Sequence, residues 1–257
     1  TGDGLINATL VNQGLVNANV SGADLVLQTN NMTNTGMMQA TNGGRLVING
    51  ITITNTGSGQ LTAGDGSSVN LQAGASIAGG TLSASGSGVV QNLSGTSTLS
   101  SVTVAAGTPF NILDNSAVNA AGTLTNHGVI TVNSNSGGDI TTLAFAAGAS
   151  LAGDGALVVN NNGRVSFPKN SPSVNNSLGS LTINGNGKLD LANNGLTIDY
   201  GANPSPLATI RTYLASGALV SSLVDASHAV ALVDSADGGV PGQPPNSLVL
   251  AYAILGD

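Results

Sequence analysis

Apolar and small polar side chains alternate along most of the chain, and short polar turns interrupt the alternation. The stretch from Met32 to Ile48, MTNTGMMQATNGGRLVI, shows both features, with breaks at Asn-x-Gly and Gly-Gly. Such alternation is typical of β-strands with one buried face, and Gly and Asn favour the turns between strands. The pattern predicts many short strands over residues 5–200.

The pattern also repeats at a nearly constant spacing. Three Asn-x-Gly triplets lie at almost equal intervals, and the same signal returns later in the chain, at Asn126 to Gly128 among other places. The interval of about 21 residues lies at the short end of the repeats that build solenoids. The triplet residues, which are predicted to lie at equivalent turns, are Asn12 and Gly14, Asn34 and Gly36, Asn55 and Gly57, and Asn126 and Gly128.

This period separates the all-β architectures that use short strands. A propeller blade needs about 40 residues and a sandwich has no fixed repeat, whereas one coil of two or three strands fits in about 21. Residues 1–200 are therefore predicted to form a single-stranded parallel β-helix, or β-solenoid, of roughly nine coils and on the order of 40 Å long. Inward residues of successive coils would stack, and Leu25, Leu46 and Val69 are predicted to form one column.

Two roles remain open for the repeated asparagines. Stacked amides at equivalent turns can form a ladder of hydrogen bonds along the solenoid. Alternatively, each asparagine adopts the left-handed turn conformation, which Asn tolerates better than most residues. The two roles are compatible, and the spacing of the triplets does not decide between them.

The pattern changes near residue 201, where NPSPLATIRTYLASG predicts a helix. Ser205 is its predicted N-cap, Pro206 occupies the first helical position and Gly217 ends it. The apolar residues that share one face of this helix are Leu207, Ile210 and Leu214.

The remaining residues predict a small mixed segment. One or two short helices are predicted in this part of the chain, with Leu219 to Ala226 as the candidate for the second. Strands are predicted at His228 to Val233 and Leu248 to Leu255, with a Pro-rich turn from Val240 to Pro245 between them. The open end of a solenoid exposes unpaired strand edges, which a non-repeating segment commonly covers. Residues 201–257 are therefore predicted to be an α+β cap.

Composition supports an ordered β-rich chain rather than a helical or disordered one. Of the 257 residues, 40% are hydrophobic and only 7% are charged, and all twelve acidic residues are Asp. Disordered chains are poor in apolar residues and rich in charge. Trp would fit poorly in a narrow interior and is absent, and the lack of Cys excludes disulfides.

Charge and hydropathy limit the expected partners. The net charge of −7 reflects only five bases, which are scattered and form no basic patch, so nucleic acids and anionic membranes are not expected to bind. No run of about 18 apolar residues is present, so no membrane span is predicted. The chain has neither a starting Met nor a signal peptide, and we expect a mature or excised piece.

About a quarter of the chain is similar to a class of bacterial repeat proteins. The segments LDLANNGLTIDYGANPSPLATIRTYLASG, VALVDSADG and LVLAYAILGD resemble the C-terminal part of large autotransporter-like, PEP-CTERM or dockerin-associated proteins, familiar from Planctomycetes and Verrucomicrobia. In those proteins a β-helical region precedes this kind of module. The resemblance implies secretion and a cell-surface or matrix location, and it implies no catalytic residues.

The chain offers few residue sets for catalysis. His127 stands in the middle of the triplet formed by Asn126 and Gly128 and is predicted to be an exposed turn residue. Ser222, Asp225 and His228 have the residue types of a hydrolytic triad, but no Gly-x-Ser-x-Gly elbow accompanies them.

A polysaccharide-cleaving β-helix is the main enzymatic alternative. Hydrolysis of a glycosidic bond needs two carboxylates that face one cleft. Asp190 and Asp199 lie near each other and near Lys188, yet Lys188 and Asp190 alternate with core positions and are predicted to face solvent. Gly-Asp-Gly turns lack the tandem spacing of calcium-binding repeats, and Thr-x-Thr pairs do not recur on successive coils as a flat ice-binding face requires. No catalytic, cofactor-binding or metal-binding residue is predicted.

These observations predict a non-catalytic structural or adhesive component of a bacterial extracellular layer, filament or sheath. Its nearly uncharged surface offers little repulsion between copies, so the expected partner is the chain itself, as an oligomer or polymer. Glycans and other surface proteins are further candidate partners. The alternative function is a polysaccharide-binding or polysaccharide-cleaving β-helix protein.

Overall fold

The chain forms a parallel β-solenoid of about nine turns, which confirms the predicted fold class. The structure is a computed structural model, and it describes residues 2–237 and 242–254. Short strands alternate with turns, and about 5% of the chain is helical. Three parallel sheets run along the solenoid and form its three faces, because each full coil adds one strand to each sheet.

The faces are named in the order in which the chain enters them. The first face contains Gly4–Ile6, Asp24–Gln28, Arg45–Asn49, Ser68–Gln72, Val89–Asn92, Pro109–Ile112, Val129–Val132, Ala156–Val159 and Ser180–Ile183. The second face contains Val11–Asn12, Met32–Asn34, Thr52–Asn55, Ser76–Ala78, Gly95–Ser100, Ser116–Ala121, Thr141–Phe145, Gly163–Ser166, Lys188–Asp190 and Leu219–Val220. The third face contains Leu15–Ala18, Met37–Ala40, Gln60–Ala63, Thr81–Ala84, Thr103–Val104, Thr123–Asn126 and Ser150–Ala152.

The core consists of columns of aliphatic side chains that cross from coil to coil. In the first face, the register places Leu46 between Leu25 and Val69, as the stacking hypothesis requires. All three side chains are buried. The same column continues through Val90, Phe110, Ile130, Leu157 and Leu181. Each inward residue therefore packs against its counterparts above and below, which buries apolar surface without a thick interior.

The coils differ in length although their core positions stay in register. The interval between successive members of this column is short from Val90 to Phe110 and longest from Ile130 to Leu157. The longest interval contains a loop over residues 133–140 in which Ile140 is exposed. The extra residues lie at a corner between two faces. An extra residue within a strand would shift its pairing register by one residue and turn its apolar side chains outward.

At the C-terminal end, a four-stranded sheet follows the third face. Its strands, in spatial order, are Asn175–Leu178, Gly195–Asp199, Ser247–Ile254 and His228–Asp234. The first pair is parallel and the later pairs are antiparallel, so the parallel stacking ends here. The Asn176 side chain accepts a hydrogen bond from the backbone N–H of Leu151 at 2.8 Å and joins this sheet to the third face. The last two strands agree with those predicted from sequence, although Leu255 and residues 240–241 of the predicted turn lie outside the described residues.

The helix spans Leu207–Ser216 and begins one residue later than predicted. Pro206 is its N-cap, so the prediction of Ser205 at that position is wrong. The Ser205 hydroxyl instead donates to the Asp234 carboxylate and accepts the N–H of Leu207 at 3.3 Å. Gly217 ends the helix as predicted, with φ of 71°. The N–H groups of Gly217 and Ala218 donate to the carbonyls of Leu214 and Tyr213 respectively.

The predicted second helix over Leu219 to Ala226 is wrong. Leu219–Val220 is a strand that pairs with Lys188–Asp190 and extends the second face. The apolar spacing of this segment suits either structure, and the open sheet edge decides, because it supplies hydrogen bonds such as Leu189 N–H to Ala218 O at 2.8 Å. A 3₁₀-helix at Ser235–Asp237 was not predicted.

The helix covers the last strand of the first face. Ile210 is fully buried, and Leu207 and Leu214 pack against the solenoid core. The Tyr213 hydroxyl accepts the backbone N–H of Ile183 at 3.1 Å, which satisfies one donor of the terminal strand. The segment after residue 200 thus contacts the solenoid end as a cap would.

Candidate association surface

A ladder of buried asparagines runs along the corner between the second and third faces. The Asn12 side chain donates to Oδ1 of Asn34 at 2.7 Å, and Asn34 donates to Oδ1 of Asn55 at 2.8 Å. Each amide also donates to a backbone carbonyl, at Met37, Gln60 and Gly79 respectively. None of the three adopts a positive φ, so of the two roles left open, the structure shows the ladder at these positions.

The third triplet is aligned incorrectly in the sequence-based prediction. Gly36 approaches the preceding coil closely, because a Cβ there would lie 2.3 Å from the carbonyl oxygen of Gly14. The residue in this position one coil later is Gly59, whose Cβ would lie 2.3 Å from the carbonyl oxygen of Asn34. Gly57 lies in a two-residue insertion with φ of 60° and open space around it. The close contact between coils, rather than the triplet itself, therefore determines where glycine is needed.

Asn126 and Gly128 belong to a different corner from the other triplets. Asn126 ends a strand of the third face, whereas Asn12, Asn34 and Asn55 end strands of the second face. The Asn126 side chain donates to the carbonyl of Ala156 at 3.0 Å and accepts the N–H of Gly128 at 3.1 Å. The prediction that this triplet lies at an equivalent turn is wrong, because the register of the second face places Gly122, and not Asn126, at the position equivalent to Asn55.

The third face carries no charged side chain in any of its seven strands, a feature that the sequence analysis missed. Its outward residues form two rows, and the Thr62 and Ser83 hydroxyls in one of them lie 2.8 Å apart. The rows are Leu15, Met37, Gln60, Thr81, Thr103, Thr125 and Ala152, and, beside them, Gln39, Thr62 and Ser83, which follow the buried Asn17. Every third strand along the chain belongs to the same face. A comparison of the charged residues in every third predicted strand would therefore have identified this surface from the sequence.

The other two faces carry charge in their strands. Asp24 and Arg45 form an ion pair on the first face, and both side chains are partly exposed. Arg164, Lys188 and Asp190 lie on the second face. The third face is therefore the one face of the three in which every strand lacks charge, although long stretches of the other two faces are also uncharged.

The residues considered for catalysis are dispersed or bound to one another. Asp225 Oδ1 lies 2.8 Å from Nδ1 of His228 and accepts the N–H of Ser227. The hydrogen bond to His228 lowers the pKa of Asp225 to about 2. The backbone N–H of Ser222, the serine of the candidate triad, donates to Asp190. The serine that hydrogen-bonds to Asp225 is instead Ser227.

The carboxylates considered for glycan cleavage have separate structural contacts. Asp190 accepts the N–H groups of Ala192 and Ser222, both at 2.9 Å, and so joins two adjacent turns. Asp199 is exposed at the end of its strand and accepts the N–H of Gly201 at 3.1 Å. Lys188 faces solvent, as predicted.

Two of the Gly-Asp-Gly turns make contacts between coils. Asp65 accepts the N–H and hydroxyl of Ser87 in the next coil, and these hydrogen bonds lower its pKa. Asp154 Oδ1 lies 2.5 Å from Nδ1 of His127, which is partly exposed, and this hydrogen bond lowers the pKa of Asp154.

Within residues 2–237 and 242–254, no group of three or more His, Cys, Asp or Glu side chains is arranged to hold a metal ion. The same residues contain no helix of the length and hydropathy needed to cross a membrane. No family model, curated protein or solved structure matches the chain. The surface chemistry of the solenoid is therefore the basis for proposing its function.

Proposed function

We propose that the protein is a non-catalytic structural or adhesive component of a bacterial extracellular layer, filament or sheath, and that its copies associate through the third face. The absence of charge from all seven strands of this face carries the proposal. Association desolvates the surfaces that meet, and this costs far more for charged groups than for hydroxyl, amide and apolar groups. A surface of this composition can therefore pack against a copy of itself with little electrostatic penalty.

The apolar end of this face favours contact further. Leu15 is 50% exposed, and Met37 follows it in the same row. Along the row, amide and hydroxyl side chains replace the apolar ones, and these groups can donate and accept hydrogen bonds across an interface. The arrangement resembles interfaces in general, in which apolar contacts are combined with satisfied polar groups.

The size of the face sets the expected strength of association. Seven strands at a spacing of about 4.8 Å and four residues in length give a surface of roughly 30 Å by 13 Å, or about 400 Å² per copy. Two copies would bury about 800 Å² in total, which is less than most stable complexes bury. The pairwise contact is therefore weak, and an extracellular layer would depend on many copies packed side by side.

Light scattering and analytical ultracentrifugation between about 10 μM and 1 mM protein test this proposal, since this range covers weak dissociation constants. The natural chain should show a mass that rises with concentration. The variant Thr81→Lys/Thr103→Lys should remain monomeric, because it places two like charges at the centre of the face. The matched control, Thr98→Lys/Asn119→Lys, adds the same charge to outward positions of the second face and should associate like the natural chain.

Two results would count against the proposal. One is a monomeric natural chain throughout this concentration range and at low and high salt. The other is an equal loss of association in both double variants, which would show that net charge matters and the third face does not. Electron microscopy of concentrated samples would then distinguish ordered layers or filaments from irregular aggregates.

A further inference from the structure

A groove opens where the corner after the third face meets the chain that leads to the helix. His127, Asp154, Asp199, Tyr200, Gly201 and Asn203 contribute to its walls, and its volume is about 470 Å³. This volume is within the range of small-molecule sites, about 300–1,000 Å³. Its lining residues come from four successive coils, so the groove exists only because these coils stack.

The groove presents hydrogen-bonding groups that the protein leaves available. Nδ1 of His127 is held by Asp154 at 2.5 Å, and within the described residues Nε2 of this ring has no hydrogen-bond partner. Asp199 uses only Oδ1, for the N–H of Gly201. The side-chain amide of Asn203 has no partner among the described residues. A ligand thus meets an imidazole nitrogen, a carboxylate oxygen and an amide.

The charge of the lining restricts the class of ligand. Two carboxylates and no Lys or Arg line the groove, so phosphate, sulfate and acidic sugars would be repelled. The described residues also lack a cluster of three His or carboxylate side chains that would favour a metal ion. A neutral molecule rich in hydroxyl groups suits these walls, because its hydroxyls can donate to a carboxylate and to Nε2 and can accept from an amide.

We infer that this groove is a binding site for a neutral saccharide, with Asp199, His127 and Asn203 as its hydrogen-bonding contacts. The site does not depend on association through the third face, and it lies on a different surface. The paired His127 and Asp154 hold each other in place, and an oriented ring loses less freedom when a ligand binds. No bond is made or broken in this step.

The test is a ¹H–¹⁵N NMR titration of the full chain at a concentration where it is monomeric. The probes are cellotetraose, xylotetraose, mannotetraose and tetra-N-acetylchitotetraose, with tetragalacturonate and Ca²⁺ alone as comparisons. At least one neutral probe should shift the amide signals of residues around 127, 154 and 199–203 in a saturable manner. Tetragalacturonate should bind at least tenfold more weakly than that probe.

Substitutions then test the contacts. Asp199→Ala and His127→Ala should each weaken binding of the responding probe at least fivefold, and both positions are exposed enough for the variants to fold. His127→Gln provides a second variant that keeps a polar side chain. Asp114→Ala, a control at another corner, should bind like the natural chain.

The inference is overturned if none of the four neutral probes shifts these signals at about 20 mM, where even weak binding would be seen. It is equally overturned if the Asp199→Ala and Asp114→Ala variants bind alike. Shifts of the same amides by Ca²⁺ alone, without a response to the sugars, would replace the saccharide site with a cation site. These outcomes leave the association proposal untouched, since that is measured without a ligand.

Discussion

Replacement of Asn34 by Ala tests how strongly the asparagine ladder holds successive coils together. Asn34 is fully buried and lies between the other two ladder residues. Its side chain accepts one hydrogen bond, from Asn12, and donates two, to Asn55 and to the carbonyl of Gln60. Asn34→Ala removes all three and leaves Oδ1 of Asn55 buried without a donor.

The expected cost follows from these contacts. A buried acceptor without a partner costs about 1–3 kcal/mol, and each further lost hydrogen bond costs about 0.5–1.5 kcal/mol. Asn34→Ala should therefore lower the free energy of unfolding by about 3 kcal/mol. Asn12→Ala removes only one ladder contact and should cost less. Thr33→Ala, next to Asn34 but facing outward, should change stability by at most about 0.5 kcal/mol.

Urea unfolding followed by far-UV circular dichroism measures these differences. A solenoid can unfold in parts, so amide hydrogen exchange should accompany it and show lost protection first around residues 34, 37, 55 and 60. The double variant Asn34→Ala/Asn55→Ala adds a sharper test. It should cost less than the sum of the single variants, because removing Asn55 also removes the acceptor that Asn34→Ala leaves unsatisfied.

Either of two results would refute this reasoning. If Asn34→Ala and Thr33→Ala unfold at the same urea concentration, the ladder contributes nothing beyond an ordinary surface position. If the double variant is fully additive, the two side chains act independently and the hydrogen bond between them has no energetic role.

Three further predictions concern the core, the corners and the acidic groups. Leu46→Ala should lower the free energy of unfolding by about 2–5 kcal/mol in urea, because Leu46 is fully buried between Leu25 and Val69, and a cost equal to that of the outward Val26→Ala would contradict the stacked core. Gly36→Ala should destabilise by about 1–3 kcal/mol in thermal unfolding, since its Cβ would lie 2.3 Å from a carbonyl oxygen, whereas Gly14→Ala, which meets nothing within 4 Å, should be neutral or slightly stabilising. His228→Ala should raise the pKa of Asp225 from about 2 toward its ordinary value of 3.8, as measured by ¹³C NMR of the carboxyl group, and an unchanged pKa would assign the shift to the hydrogen bonds from Ser227 instead. Because the pKa is lower in the folded chain, the stabilising contribution of Asp225 is complete above its ordinary pKa of 3.8 and is lost as the pH falls through about 2, and His228→Ala should reduce it.

Local signals in the sequence were sufficient for the fold class and for part of the site. Alternation identifies inward residues, and the repeat indicates which of them stack, so the column of Leu25, Leu46 and Val69 follows from the sequence. Local signals also located the helix and its end at Gly217, because a left-handed C-terminal glycine is a property of a few adjacent residues. The start of the helix was wrong by one residue, because Pro206 has a non-helical conformation and is the N-cap, although the Ser205 hydroxyl still accepts the N–H of Leu207.

Contacts between distant residues could not be read from the triplets alone. Gly59 rather than Gly57 makes the close approach, because two inserted residues move the turn relative to the coil below. Asn92 occupies a core position between Leu71 and Ile112, which is possible only because Ser97 and the carbonyls of Gly95 and Ala117 satisfy its amide. An alternation pattern does not predict a polar residue at a core position, and one of the partners that permit it, Ala117, belongs to the neighbouring coil.

The sequence by itself determined the alternation of apolar and polar side chains, the turns between strands and the repeat of this pattern along the chain. It therefore determined the parallel solenoid with an aliphatic core, because these patterns can be read without knowing any contact between distant residues. The tertiary structure decided which corner each turn occupies, that one face is free of charge, and that His127 meets Asp154 beside Asp199. These features depend on the register between coils of unequal length. Register is fixed only when the core side chains of adjacent coils pack together, since that packing selects one alignment among several that the repeat allows.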